Sequence, residues 1–215
     1  GVQTCALPIS FCSAVVIGDI DGDNDLDIIF GRNHQNDLEN TIWLNNGAGS
    51  FALSQETIGD SETQDLVLVD LNQDTHLDVV EANSSGFNKV WINNGIGAFL
   101  SHQTLLHPSY SVDAADLNGD GHMDLFFGNV SGEILTGANR VWLNNGNGIF
   151  SLQSQVLGFY ESYDVALGDL DADGDIDAFV ANTSSFSEKV WLNDGEGTFT
   201  ELEIGRAHVW TPVTL

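Results

Sequence analysis

Basic residues are scarce in this sequence, whose 215 residues include 5 Lys and Arg against 32 Asp and Glu, for a formal net charge of −27. A chain with this charge repels nucleic acids and anionic membrane surfaces, so neither is expected as a partner, and it attracts cations. Cysteine is nearly absent, with 2 residues, which excludes a scaffold built on disulfides. No apolar run is long enough to span a bilayer, so no transmembrane segment is predicted.

The two ends of the chain differ in character from the rest. Residues 1–9 and residues 204–212, within the closing residues 203–215, can be back-translated into DNA strands that are reverse complements of each other, with Trp210 standing at a TGA codon. That DNA resembles a short-read sequencing adapter, so we expect both segments to be artefacts and the natural protein to extend beyond one or both of them. Cys5 lies in the first segment, which leaves Cys12 as the one plausible native cysteine.

An internal repeat of about fifty residues organises the chain between these ends. Four acidic segments align without gaps: DIDGDNDLD (19–27), DLNQDTHLD (70–78), DLNGDGHMD (116–124) and DLDADGDID (169–177). A second motif follows each of them: WLNNGAGSF (43–51), WINNGIGAF (91–99), WLNNGNGIF (142–150) and WLNDGEGTF (191–199). Two motifs that recur in the same order indicate one structural unit per repeat.

Each repeat predicts four short β-strands. One strand precedes the acidic segment, one leaves it, one carries the Trp, and one begins near the Phe. Asn-Asn-Gly, or Asn-Asp-Gly in the fourth repeat, between the last two is a hairpin signal, because Asn and Gly accept the positive φ of a tight turn. Four-stranded repeats predict an all-β fold, a β-propeller with blades at about 10–60, 61–106, 107–159 and 160–202. We expect these four blades to be a fragment of a seven-bladed ring; an open β-solenoid is the alternative.

The acidic segments carry oxygen ligands at every second residue. With the first Asp as position 1, positions 1, 3, 5 and 9 are Asp or Asn in all four segments, and position 7 can add a backbone carbonyl. Ca²⁺ takes six to eight such oxygens in flexible geometry, and a bound ion relieves the repulsion between the carboxylates. We therefore predict about four Ca²⁺ ions, one per blade. The predicted ligands are Asp19, Asp21, Asp23, Asp25 and Asp27; Asp70, Asn72, Asp74, His76 and Asp78; Asp116, Asn118, Asp120, His122 and Asp124; and Asp169, Asp171, Asp173, Asp175 and Asp177.

Other interpretations of these segments explain less. A solvated acidic loop accounts for the charge but not for a spacing that recurs four times. Mg²⁺ prefers stricter octahedral sites, and Zn²⁺ favours His or Cys ligands, which do not recur here. An EF-hand needs flanking helices and a Glu at position 12, where three of the segments have Phe30, Phe127 and Val180.

The four predicted sites are not expected to be equal. Position 6 needs a left-handed backbone, which suits Gly121 and Gly174 and is tolerated by Asn24, whereas Thr75 is β-branched and resists it. The second segment also has one carboxylate fewer at positions 1, 3, 5 and 9 than the first or the fourth. We therefore predict the weakest Ca²⁺ binding in the segment that begins at Asp70.

These residues resemble the FG-GAP/VCBS repeat family, whose calcium-binding blades also occur in integrin α-subunit propellers. The resemblance covers about residues 12–202 and rests on the acidic pattern together with the Trp-Leu-Asn-Asn-Gly-x-Gly-x-Phe motif; Thr75 departs from it. It implies a secreted or cell-surface protein whose propeller binds Ca²⁺ structurally and serves adhesion, or the binding of a carbohydrate or an extracellular protein. The alternatives are the propeller domain of a secreted lyase or hydrolase, and a purely structural spacer. No catalytic set stands out, so the chain is not predicted to be an enzyme.

Further residues that recur in the repeats have structural and surface interpretations. Segments 33–40, 83–88, 129–139 and 182–188 vary in length and are the first candidates for partner contact. Asn83, Asn129 and Asn182 also match the N-glycosylation pattern. One tryptophan per repeat is expected to pack between blades rather than to stack on sugars: Trp43, Trp91, Trp142 and Trp191.

Overall fold

Residues 12–34, 38–130, 137–183 and 187–202 are described by a computed structural model, in which they form β-strands, turns and no helix. These residues therefore contain no helix that could cross a membrane. The strands are β1 (Cys12–Gly18), β2 (Asp27–Arg32), β3 (Asn40–Asn45), β4 (Phe51–Ile58), β5 (Thr63–Val69), β6 (Asp78–Asn83), β7 (Asn88–Asn93), β8 (Phe99–Leu105), β9 (Ser109–Ala115), β10 (Asp124–Asn129), β11 (Arg140–Asn144), β12 (Phe150–Leu152), β13 (Ser162–Gly168), β14 (Asp177–Asn182), β15 (Lys189–Asn193) and β16 (Phe199–Leu202).

The strands form four antiparallel sheets of four strands each, and every sheet follows chain order. Sheet 1 contains β1–β4, sheet 2 contains β5–β8, sheet 3 contains β9–β12 and sheet 4 contains β13–β16. The prediction of an all-β chain with four strands per repeat is confirmed. The first strands of consecutive sheets contact one another, β1 with β5, β5 with β9 and β9 with β13. This succession is consistent with propeller-like blades.

Hairpin turns join the third and fourth strands where the Asn-Asn-Gly signal predicts them. The first glycine of each turn has a positive φ, 71° at Gly47, 81° at Gly95, 83° at Gly146 and 77° at Gly195. The backbone N–H of Asn46 donates to Ser50 O at 3.2 Å, and the other three turns repeat this bond. The local sequence therefore sets the register between the third and fourth strands of each sheet.

Apolar side chains fill the spaces between neighbouring sheets. Every residue of β6 and β10 is buried, because sheets 2 and 3 are covered on both faces and need apolar residues on both. Three buried clusters result, one between each pair of consecutive sheets. Trp91, Trp142 and Trp191 pack in the clusters between sheets 1 and 2, 2 and 3, and 3 and 4, as predicted for packing between repeats. Trp43 is buried but belongs to none of these clusters.

A polar ladder joins the sheets at the edge opposite the acidic segments. Asn40 Nδ2 donates to Thr63 Oγ1 at 3.0 Å, and Thr63 Oγ1 donates to Asn83 Oδ1 at 2.9 Å. Sheets 2 and 3 repeat the pattern through Asn88, Ser109 and Asn129. The glycosylation interpretation is therefore wrong, because Asn83, Asn129 and Asn182 are buried structural residues.

Candidate metal centre

The four acidic segments form the loops between the first and second strands of each sheet. We call residues 19–27 loop 1, 70–78 loop 2, 116–124 loop 3 and 169–177 loop 4. Position 9 of each loop is the first residue of the second strand. All four loops therefore lie at the same edge of their sheets, beside the hairpin turns that join the third and fourth strands.

The backbone of each loop curls around the carboxylate of the Asp at position 1, which accepts hydrogen bonds from N–H groups of the same loop. In loop 1, Asp19 Oδ1 accepts the N–H of Gly22 at 2.8 Å and Oδ2 accepts the N–H of Asn24 at 3.0 Å. Asp116 and Asp169 accept the corresponding N–H groups in loops 3 and 4. This winding brings alternate side chains toward one centre, which is the arrangement that an oxygen-coordinated cation needs.

Left-handed residues at positions 4 and 6 make the winding possible. Position 6 has φ 70° at Asn24, 74° at Thr75, 84° at Gly121 and 100° at Gly174, which confirms the sequence prediction. Position 4 is also left-handed, which sequence reasoning missed. The recurrence of Gly at that position in loops 1 and 3 was the available signal. Loop 2 is the only one of the four with a non-glycine residue of positive φ at both positions: Gln73 and Thr75.

The Asp at position 9 is a predicted ligand, and it is also a buried clamp, which means that it joins its own loop to the third strand of the sheet through two hydrogen bonds. In loop 1, Asp27 Oδ2 accepts the N–H of Ile20 at 2.9 Å and Oδ1 accepts the N–H of Asn45 in β3 at 2.7 Å. The other loops repeat both bonds through Asp78, Asp124 and Asp177. Burial raises the pKa of Asp78 and of Asp124 to about 6, although the two backbone N–H bonds act in the opposite direction. A carboxylate has about four lone-pair sites, so these bonds leave room for a cation.

Three of the predicted ligand positions come together in two of the loops. Asp19, Asp21 and Asp27 each offer a carboxylate oxygen within 4.8 Å of the others, and so do Asp169, Asp171 and Asp177 in loop 4. Position 5 lies outside these groups, and its Oδ1 accepts the N–H of position 7, as in the 2.9 Å bond from Asp25 N to Asp23. We call loops 1 and 4 the Asp-type loops, after their residue at position 3.

Loops 2 and 3 have asparagine at position 3, and we call them the Asn-type loops. Asn72 Oδ1 accepts the N–H of Asp74 at 3.0 Å, while Nδ2 donates to Asp74 Oδ2, also at 3.0 Å. Asn118 makes the same pair of bonds to Asp120. In both loops an amide N–H therefore occupies a carboxylate oxygen that a cation would need. Exchanging the oxygen and nitrogen of the Asn72 side-chain amide would place its NH₂ group against the backbone N–H of Asp74, so that two donors would face each other.

Loop 1 contains a buried oxygen that has no hydrogen-bond partner. This atom is Asp21 Oδ1. Burial, followed by the charges of Asp27, Asp23 and Asp19, raises the pKa of Asp21. A buried carboxylate oxygen without a donor is costly unless a cation or water satisfies it. The donor set of the Asp-type loops, carboxylate oxygens alone, fits a hard divalent cation such as Ca²⁺.

Position 7 connects each loop to the hairpin turn of its own sheet. A Cβ at Gly47 would lie 2.5 Å from Asp25 Oδ2, and a Cβ at Gly195 would lie 2.7 Å from both carboxylate oxygens of Asp175. The rings of His76 and His122 lie in the same way over Gly95 and Gly146. The side chain at position 7 thus packs on the turn. A backbone carbonyl remains the contribution that we predict from this position.

Loops 1, 2 and 3 also contact the following sheet. Asn93 Nδ2, at the end of β7, donates to Leu77 O in its own loop at 3.1 Å and to Ile20 O in loop 1 at 2.8 Å. Asn144 and Asn193 repeat both bonds toward loops 2 and 3. A cavity of about 220 Å³ lies between loops 3 and 4 and is lined by no Ser, Cys or His among the described residues. The loops therefore belong to the contacts between sheets.

Comparison with known proteins supports the repeat assignment. The profile of the FG-GAP-like repeat matches residues 19–81 and 70–127, which together span just over half of the 215 residues. The match is to a repeat module, in agreement with the prediction that the chain is not an enzyme. No curated protein matches the chain.

Among solved structures, the crystal structure of the V. cholerae biofilm matrix protein Bap1 is similar to this chain. The TM-score is 0.45 and the sequence identity is 15%, over 88% of this chain and 38% of that protein. The chain thus spans well under half of the length of Bap1.

Proposed function

Since the chain belongs to the FG-GAP-like repeat family, we propose that it is a calcium-binding repeat module in which each acidic loop holds one Ca²⁺ ion. Positions 1, 3, 5 and 9 would supply side-chain oxygens, and position 7 a backbone carbonyl. The observation that carries the proposal is the group of three carboxylates in loop 1, where Asp21 Oδ1 is buried without a partner. A bound ion would supply the positive charge that offsets their mutual repulsion.

The two loop types support unequal affinities. In the Asp-type loops every side chain at the ligand positions is an acceptor, whereas in the Asn-type loops an amide N–H already occupies the carboxylate at position 5. We propose that loops 1 and 4 bind Ca²⁺ more tightly than loops 2 and 3. Loop 2 would be the weakest of the four, because it also contains the left-handed Gln73 and Thr75.

We propose further that the four sheets are blades of a β-propeller. The support is the contact between consecutive first strands and the apolar cluster between each pair of sheets. The blade boundaries of the sequence analysis, the seven-bladed ring and the artefactual residues 1–9 and 203–215 stay predictions. The two end segments lie outside the described residues.

An extracellular role is proposed on the chemistry of the loops. Calcium modules outside cells work at ion concentrations of about 10⁻⁴ to 10⁻³ M, for which partly exposed loops are sufficient. Partner contact, with a carbohydrate or an extracellular protein, is assigned to the variable segments that join the second and third strands. Residues 35–37, 131–136 and 184–186 of these segments lie outside the described residues.

Calcium titration of the purified chain tests the proposal. Calorimetry should detect up to four ions, and millimolar Ca²⁺ should raise the melting temperature of protein prepared in chelator, because the ion binds the folded state. The variant Asp19→Ala should lose one ion, whereas Glu56→Gln, at an exposed acid of β4, should bind as the parent does. Absence of heat at millimolar Ca²⁺ together with an unchanged melting curve would overturn the proposal. An equal response to Mg²⁺ would overturn its assignment to Ca²⁺.

A further inference from the structure

A basic residue stands two places before the tryptophan of sheets 2, 3 and 4: Lys89, Arg140 and Lys189. Two of these cations have a carboxylate partner, since Lys89 Nζ donates to Asp60 Oδ1 at 2.5 Å and Lys189 Nζ donates to Glu201 Oε1. Arg140 differs from them, because no Asp or Glu of the described residues forms an ion pair with it. In a chain with 32 Asp and Glu against 5 Lys and Arg, a basic residue without an acid is unexpected.

Arg140 is nevertheless buried, with 8% of the residue exposed. Its Nη1 donates to Gln155 O at 3.4 Å, which is longer than the usual limit of about 3.2 Å, and its buried Nε has no hydrogen-bond partner. Burial lowers the pKa of Arg140, yet a guanidinium keeps its proton at neutral pH. A buried cation with an unsatisfied N–H is costly, so this site lacks an acceptor among the described residues.

The linker between β8 and β9 lacks the acid that the linker between β4 and β5 provides. Asp60 is the second residue after the buried Ile58, and His107 is the second residue after the buried Leu105. Burial, followed by the charge of Arg140, lowers the pKa of His107, so this ring lies near the guanidinium and is largely neutral at neutral pH. A neutral ring cannot balance the charge of Arg140.

His107 is also held in a strained backbone conformation. Its φ of 84° lies in the left-handed region, and Pro108 follows it, although a residue before proline prefers an extended conformation. The bond from Asn88 Nδ2 to His107 O, at 2.9 Å, fixes the linker to the polar ladder at the edge opposite the acidic loops. Strain of this kind clusters at sites that bind ligands.

The place of the missing acid is open to solvent. In sheet 2 the side chain of Lys89 is 17% exposed, whereas the side chain of Asp60, which meets it from the linker, is 68% exposed. In sheet 3 the corresponding linker carries the half-buried His107 and the exposed Leu106. An external carboxylate can therefore approach Arg140 from the side on which Asp60 approaches Lys89.

We propose that Arg140 binds the carboxylate of a small organic acid, which takes the place that Asp60 takes beside Lys89. The guanidinium presents its N–H donors in a planar fork that matches a carboxylate. A carboxylate is favoured over a phosphate because one guanidinium balances one negative charge, and because the partner that sheet 2 provides is itself a carboxylate. Since little of Arg140 is exposed, the contact is confined to one end group of the ligand.

Titration of the purified chain with acetate tests the site. At neutral pH and constant ionic strength, the NMR signal of Arg140 Nε–H should shift and saturate with a dissociation constant on the order of 1 mM, while chloride leaves it unmoved. Arg140→Lys identifies the signal. Acetate should also raise the melting temperature of the parent more than that of Arg140→Gln, because the ligand binds the folded state. Tighter binding of D-glucuronate than of acetate would assign a sugar acid, and equal binding a simple acid.

Two variants at His107 separate a ligand site from general ion effects. His107→Asp places a carboxylate where sheet 2 has Asp60, so it should raise the melting temperature without ligand and weaken acetate binding about tenfold. His107→Asn is the matched control, because Asn and Asp have the same size and both tolerate a positive φ. The Asn variant should keep the acetate affinity of the parent within about a factor of two.

Three outcomes would contradict the site. A signal of Arg140 Nε–H that does not respond to acetate in the parent would overturn the proposal. Glu133 lies outside the described residues, and a response that appears only in Glu133→Gln would show that this acid is the partner of Arg140. An equal response to phosphate or chloride would overturn the assignment to a carboxylate.

Discussion

The Asp-type and Asn-type loops share a backbone but differ in what they present to a cation. In both types position 1 accepts the N–H groups of the winding chain and position 9 accepts one N–H from its own loop and one from the third strand. At position 3, Asp21 keeps a buried oxygen without a partner, whereas Asn72 donates to the neighbouring Asp74. The same fold therefore leaves a carboxylate oxygen without a partner in loop 1 and supplies an internal hydrogen bond in the Asn-type loops.

This comparison separates two tasks that one acidic segment performs. Position 9 holds the loop on the sheet and is equally buried in all four loops. Position 3 is Asp in loops 1 and 4 and Asn in loops 2 and 3, and so sets the charge at the loop centre. The residue at position 3 can thus differ between repeats while the contact of the loop with its sheet is kept.

The largest predicted effect concerns position 9, where the two loop types should not differ. Asp124→Ala would leave the buried N–H groups of Leu117 and Asn144 without acceptors, at a cost of about 2–4 kcal/mol in the free energy of unfolding. Asp177→Ala in an Asp-type loop should cost a similar amount. Urea unfolding in chelator measures both losses without any contribution from metal. Losses that differ between the loop types by more than about 1 kcal/mol would show that position 9 is not a common clamp.

Exchange of the residue at position 3 should exchange the calcium affinities. Asp21→Asn should weaken Ca²⁺ binding by loop 1 roughly tenfold, and Asn118→Asp should strengthen binding by loop 3 by a similar factor, because ligand charge sets the affinity of such sites. Amide signals of Gly22 in loop 1 and Gly121 in loop 3 report each site separately in an NMR titration. Affinities that stay where they were would remove the basis for dividing the loops into two types.

A smaller effect is predicted at position 6, within the Asn-type loops. Thr75 has φ 74°, whereas Gly121 at the same position of loop 3 has φ 84°. Thr75→Gly should raise the free energy of unfolding by about 1 kcal/mol, because a β-branched residue is strained at positive φ. The reverse change, Gly121→Thr, should lower it by about the same amount. Thermal or urea unfolding checks both, and a stabilising Gly121→Thr would contradict the argument.

The sequence predicts the strands and the winding of the loops because both depend on near neighbours. Alternation of apolar residues, the Asn-Asn-Gly turns and the need for a left-handed residue at Gly121 or Gly174 are all local signals. The clamp at Asp27 is not local, since its second partner is Asn45 in β3, 18 residues away. No spacing rule within the acidic segment reveals that bond.

Burial and amide orientation are the other features that the sequence could not supply. Asn83 matches a glycosylation motif over three residues, but its burial depends on Thr63 in the preceding strand and on the sheets around it. Asn72 counts as an oxygen ligand in the sequence, and only the bond from its Nδ2 to Asp74 shows that it presents a donor. Residue type therefore predicts the candidate ligands, while hydrogen bonding decides what each of them offers.

The smallest predicted effect is that the stability difference between Asp21→Asn and the parent changes sign when Ca²⁺ is added. In chelator, Asp21→Asn should raise the free energy of unfolding by about 0.5 kcal/mol, because it removes one of several like charges at a site where solvent screens much of the repulsion. In millimolar Ca²⁺ the same variant should be less stable than the parent, because the folded state loses part of its ion binding. Asn118→Asp should show the opposite pair of signs. Urea unfolding of both variants under both conditions measures four differences. Asp21→Asn being destabilising in chelator would mean that the loop tolerates its carboxylates without a cation.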